Sequence, residues 1–105
     1  MAEEEGRIQY IAMKMMQISG AIVFRMNAGR TRNNVRMAPV GTPDLMAALS
    51  GGRVIWVEVK TPGNDPTEAQ EKMHKLLRQK GHTVYVVHNT EEIEKMMDDV
   101  GGKNG

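Results

Sequence analysis

A chain of 105 residues and 11.7 kDa has room for one small core, burying roughly two thirds of the surface its unfolded form exposes, and leaves none for a second domain. With 40% hydrophobic and 26% charged residues it reads as a folded globular domain rather than a disordered or collagenous chain, and the lack of cysteine excludes disulfides, thiolate metal sites and cysteine nucleophiles together. The net charge of +1 conceals an uneven distribution: between Glu5 and Asp44 there is no acidic side chain, while Arg7, Lys14, Arg25, Arg30, Arg32 and Arg36 all fall there, which points to a surface facing a polyanion.

The first residues, Met1-Ala2-Glu3-Glu4-Glu5, are acidic where a secretory signal is basic and then apolar, and the longest apolar runs are short. An intracellular protein without a membrane span is expected. Ile8, Ile11, Ala12, Met15 and Ile18 recur at helical spacing, so a first helix is predicted over Glu3–Ser19, with Gly20 as its stop. Tyr10, Met13 and Met16 lie off that stripe, and apolar surface wider than one core-facing stripe hints at a dimer. A short strand over Ala21–Met26 follows. The stretch from Asn27 to Pro43, with Gly29, Pro39, Gly41 and Pro43 among three arginines, is longer than a connection needs and reads as a functional loop or a mobile one.

Asp44–Leu49 is predicted as a strand, Gly51-Gly52 as a hairpin turn and Arg53–Lys60 as the returning strand, apolar enough to be covered on both faces. Asp65 as N-cap, Pro66 as first helical residue and Glu68 three positions after the cap predict a helix to Lys80, ended by Gly81. His82–His88 reads as another buried strand, and Thr90 as the cap of a last helix to about Asp98. A right-handed crossover through the Asp65–Lys80 helix makes the strands on either side of it parallel neighbours, so the sheet is mixed and flanked by helices. The organisation is one domain over residues 1–100 with a flexible tail over 101–105.

The chemistry lies near the hairpin. Glu58 and Lys60 stand two apart at the end of an apolar strand and project to the same side of it. Counting outward from Gly51-Gly52, Asp44 falls at that same end, so the three side chains can converge. Two carboxylates there can bind Mg²⁺ or Mn²⁺, and an adjacent ammonium can stabilise charge developing on a phosphate. The histidines weigh less: His74 reads as a solvated mid-helix residue, and no two histidines have metal-ligand spacing. Trp56 reads as core.

Pro-Asp at a strand entrance, a hairpin, then Glu-x-Lys at the end of a buried strand followed by a helix is the pattern of the PD-(D/E)xK nuclease superfamily. Gly41-Thr42-Pro43-Asp44, Val57-Glu58-Val59-Lys60-Thr61, the Pro-Thr-Glu-Ala-Gln run ending at Gln70, and Gly81 before a strand together resemble its VRR-NUC branch, in the compact stand-alone form of phages and bacteria. The resemblance spans about Glu5 to Asn89 and implies a restriction-endonuclease-like α/β fold. It implies Asp44, Glu58 and the main-chain carbonyl of Val59 as ligands of Mg²⁺ or Mn²⁺, Lys60 as the catalytic lysine, Gln70 as the supporting helix glutamine and Glu5 as the N-terminal helix glutamate. The implied activity is hydrolysis of DNA phosphodiesters to 5′-phosphate products by a homodimer acting on branched DNA such as four-way junctions, in the cytoplasm of a bacterial or phage-infected cell. Arg25, Arg30, Arg32 and Arg36, just before the Pro-Asp entrance, are suited to hold the phosphate backbone. A flap- or end-processing nuclease without junction preference and a non-cutting DNA-binding dimer of the same fold are the alternatives.

Overall fold

The computed structural model describes residues 2–26 and 38–102. Helix α1 (Ala2–Ile18) leads into strand β1 (Ile22–Arg25), and after the segment carrying Arg30, Arg32 and Arg36, which lies outside the described residues, β2 (Leu45–Ala48) begins. A 3₁₀ turn at Ser50–Gly52 joins β2 to β3 (Val54–Val59), and helix α2 (Glu68–Gln79), strand β4 (Thr83–Val87) and helix α3 (Thr90–Gly102) complete the elements among the described residues. The four strands form one mixed sheet in the order β1-β2-β3-β4: β1–β2 and β2–β3 are antiparallel, while β3–β4 are parallel across the α2 crossover. The predicted strands and the parallel pairing are therefore found.

Alternation along the strands assigns the two faces. Leu45, Ala47, Ile55, Val57, Val59 and Val87 face α1 and α3 and pack with Ile8, Ala12, Met16, Ile93, Met96 and Val100. Glu58 and Trp56 face the other way, where α2 lies over the β3–β4 side. Toward β1 that face stays open, with Ile22 64% and Phe24 46% exposed on the edge strand. Trp56 is consequently half-buried rather than core, and β3 is not sealed on both sides.

Three local expectations are corrected. The buried line of α1 is Ile8, Ala12 and Met16, spaced by four, and Ile18 is 85% exposed. Side chains one turn apart stack on one face, so the i, i+4 line decides which methionine is buried. Helix α2 is capped by Thr67, not Asp65: Thr67 Oγ1 accepts the Gln70 N–H and Gln70 Oε1 accepts the Thr67 N–H, a reciprocal box that Asp65 and Glu68 do not form. At α3, Asn89 Oδ1 accepts the Glu92 N–H, so Asn89 performs the capping expected of Thr90, and the helix continues past Asp98 to Gly102.

Candidate active site

The segment Gly41-Thr42-Pro43-Asp44 delivers an acid to the end of the sheet. Thr42 turns back on Pro39, its N–H and hydroxyl both donating to the Pro39 carbonyl, and Pro43 is fully buried. Gly41 has φ +87°, and a Cβ there would overlap the main-chain carbonyl of Ala69, in the first turn of α2. Glycine is required at that point by conformation and by space. Asp44 is 8% exposed; its carbonyl accepts the Met26 N–H at 2.8 Å, and its Oδ2 accepts the Val59 N–H at 2.8 Å. Main chain and side chain together fix this carboxylate beside the end of β3.

Glu58 is 1% exposed and points to the α2 side of the sheet. Gln70 Nε2 donates to its Oε2 at 3.1 Å, and His74 Nε2 lies 3.2 Å from its Oε1. The Glu58 carboxyl is also hydrogen-bonded to that of Asp44, and burial, that neighbouring charge, that bond and, more weakly, Glu5 push its pKa up to about 9 against the opposing pull of Lys60. Two acids in one buried place cannot both ionise at low cost. His74, itself 3% exposed, is held below the usual imidazole range, first by burial and then by the Arg78 charge.

Lys60 is half-buried at the end of β3, where its N–H donates to the Val87 carbonyl at 3.0 Å and continues the parallel ladder. With Glu5, Thr61, Asn64, Asp65 and Thr67 it lines an open cleft of about 380 Å³. His88 steadies the loop beyond it: Nε2 contacts the Asn64 carbonyl and Nδ1 the Glu92 carboxylate, each at 2.9 Å.

The structure thus brings Asp44, Glu58, Lys60, Gln70 and Glu5 to one end of the sheet. Arg25 is exposed at the end of β1, and Arg30, Arg32 and Arg36 lie outside the described residues. His74, expected to be solvated, is buried against Glu58. The signal for it was spacing: His74 stands one helical turn after Gln70 and shares its face.

Among the described residues, no three side chains of His, Cys, Asp or Glu form a metal-ligand cluster. The donor set available, two buried carboxylates and a neighbouring main-chain carbonyl, suits a hard cation that takes few protein ligands and fills its other positions with water and phosphate oxygen.

No family model matches the chain. A curated relative, "Putative nuclease p44" of Acyrthosiphon pisum secondary endosymbiont phage 1, is 45% identical over 47 residues, which is 45% of this chain and 50% of that protein. The chain's match therefore spans about half the length of that relative. A solved structure described as a VRR_NUC domain superposes with a TM-score of 0.77 at 27% identity, covering 90% of this chain and 94% of that one. Likeness over nearly the whole of both chains gives this chain the restriction-endonuclease-like α/β fold of a VRR-NUC domain.

Proposed function

We propose that the chain is a divalent-metal-dependent deoxyribonuclease that hydrolyses phosphodiester bonds in branched DNA, four-way junctions foremost, as a homodimer. The observation that carries this reading is the buried, hydrogen-bonded pair of carboxyls Asp44 and Glu58 beside Lys60, a donor set that suits a hard cation. The nuclease name of the phage relative and the likeness to a VRR-NUC domain support it.

Asp44, Glu58 and the Val59 carbonyl would hold Mg²⁺ or Mn²⁺. When bound, such an ion supplies a Lewis acid for the phosphodiester and a water of lowered pKa. Lys60, on the Glu58 side of β3 and lining the cleft with Glu5, brings an ammonium to the place where negative charge develops on the phosphate. Gln70 keeps the Glu58 carboxyl oriented. Arg25 and the arginines at 30, 32 and 36 precede the Pro-Asp entrance in the sequence and are the cations assigned to the phosphate backbone. The exposed Ile22 and Phe24 on the edge strand, and Tyr10 and Ile18 on α1, offer apolar surface for a second copy. No helix among the described residues is long and apolar enough to cross a membrane, and the relative's phage origin agrees with action in the cytoplasm of a bacterial or phage-infected cell.

The test is cleavage of a labelled four-way junction, a flap and a linear duplex with Mg²⁺, Mn²⁺ or EDTA, together with the mass in solution. Symmetric metal-dependent cuts in the junction by a dimer are expected. Equal cleavage of all three substrates would leave a general nuclease, and binding without cutting a DNA-holding module. Lys60→Ala is expected to lower cleavage about 10²–10³-fold with DNA binding retained. Replacing Arg30 and Arg32 together should weaken binding and flatten its salt dependence, and unchanged binding would remove that segment from the DNA surface.

A further inference from the structure

A glutamate side chain does not orient its own carboxylate well: the last torsion is broad and two-fold, so the plane of the two oxygens is set by whatever bonds to them. At Glu58 both oxygens are met by one helix. Gln70 reaches Oε2 and His74 reaches Oε1, at 3.1 and 3.2 Å, from positions one turn apart on α2. The direction of the Gln70 amide is fixed independently, because its Oε1 already accepts the Thr67 N–H in the capping box and only the NH₂ end remains for Glu58. The imidazole is sealed in at 3% exposure, where a polar ring left without a hydrogen bond is costly. The other two described histidines do unrelated work: His82 receives the Trp56 indole N–H, and His88 braces the Asn64 loop.

We infer that His74 is a positioning residue: its Nε2–H donates to Glu58 Oε1 and, with Gln70, forms a two-point clamp from one helix that sets the plane of the carboxylate holding the metal. The clamp presupposes the metal-dependent reading of Asp44 and Glu58. It makes His74 neither a ligand nor a proton carrier. Outer partners of ligating carboxylates act in this way, by fixing orientation before the ion arrives.

The experiment compares wild type, His74→Leu, His74→Gln and Glu58→Gln. Mn²⁺ alone is titrated calorimetrically without DNA, and the ring nitrogens of the metal-free protein are read by ¹⁵N NMR. His74→Leu should bind Mn²⁺ about 10–100-fold more weakly, and His74→Gln, which can donate from a similar place, should return to within about threefold of wild type. The NMR spectrum should show the Nε2–H tautomer in wild type and a shifted His74 signal in Glu58→Gln. Wild-type Mn²⁺ affinity in a folded His74→Leu protein, no difference between Gln and Leu, or an Nδ1–H tautomer would each overturn the clamp. If His74→Leu fails to fold, His74→Gln and the tautomer decide it. Should wild type bind Mn²⁺ no better than Glu58→Gln, the metal reading fails and the clamp with it. That outcome is distinct from a wild type that binds and a His74 that does not matter.

Discussion

The two ends of β3 are treated in opposite ways. At its N-terminal end, Arg53 donates to the carbonyls of Ser50 and Val100, each at 3.4 Å, and the Trp56 indole donates to His82 Nδ1 at 3.2 Å with the rings edge-on. The Tyr85 hydroxyl donates to Asp99, and burial together with that bond keeps the phenol un-ionised up to about 12. Each donor there meets an acceptor, and the bonds favour the folded state. At the C-terminal end, Glu58 faces Asp44, acid against acid, and folding must raise the Glu58 pKa to about 9. The larger hollow, about 620 Å³, lies at the satisfied end beside Arg53, Lys80 and His82, while the candidate chemistry lies at the cleft of about 380 Å³. Sign of pairing, not size of cavity or number of polar groups, separates the structural end from the end that holds the candidate site.

That contrast can be broken experimentally, most forcefully at Glu58. Glu58→Gln should abolish cleavage, by about 10²-fold or more if the carboxylate carries the cation, and should raise the melting temperature of the metal-free protein near neutral pH. The sign follows from the titration: an acid whose pKa rises from 4.5 unfolded to about 9 folded binds more protons when folded. Stability is then greatest at low pH and is lost as pH rises from 4.5 toward 9. Melting curves in EDTA should therefore slope downward across that range for wild type and be flatter for Glu58→Gln. Parallel curves would show that the two ends do not differ as described.

Next in size is Gly41→Ala, which strains a φ of +87° and forces the loop off Ala69. A loss of about 1–3 kcal/mol is expected, with weaker Mn²⁺ binding because Gln70 moves with that turn; a fall in stability without a fall in Mn²⁺ affinity would uncouple loop from site. Smallest is Tyr85→Phe, which should cost about 0.5–1 kcal/mol, measured by urea denaturation, and leave cleavage unchanged. A change in cleavage would mean that the satisfied end takes part in function.

The crossover from β3 through α2 to β4 was legible because apolar strand runs stood on either side of a helix with clear punctuation, and the Pro-Asp and Glu-x-Lys ends of one hairpin could be aligned by counting. The cap was misplaced because Asp65-Pro66 satisfies each single-residue preference, whereas only Thr67 has a glutamine in reach that can answer it. His74 was hidden for a related reason. Between Met73 and Lys75 it looks like any helix histidine; its one-turn spacing from Gln70 puts it on that residue's face, but that this face rests on the strand is a tertiary fact. On α1, the helically spaced stripe through Ile11 and Met15 ran on to Ile18, while the line through Ile8 and Ala12 leads to Met16.

The contacts that build the site are close in chain as well as in space. Val59 to Asp44, Gln70 to Glu58 and His74 to Glu58 span 15, 12 and 16 residues. Closing loops of that length costs little entropy, and each doubling would add only about 0.6 kcal/mol. One uninterrupted stretch, from Gly41 to His74, therefore carries the acids, their clamp and the lysine. The remainder of the chain supplies what that stretch cannot: Glu5 on α1 closes the cleft beside Lys60, Val87 takes the Lys60 N–H, and His88 holds the Asn64 loop.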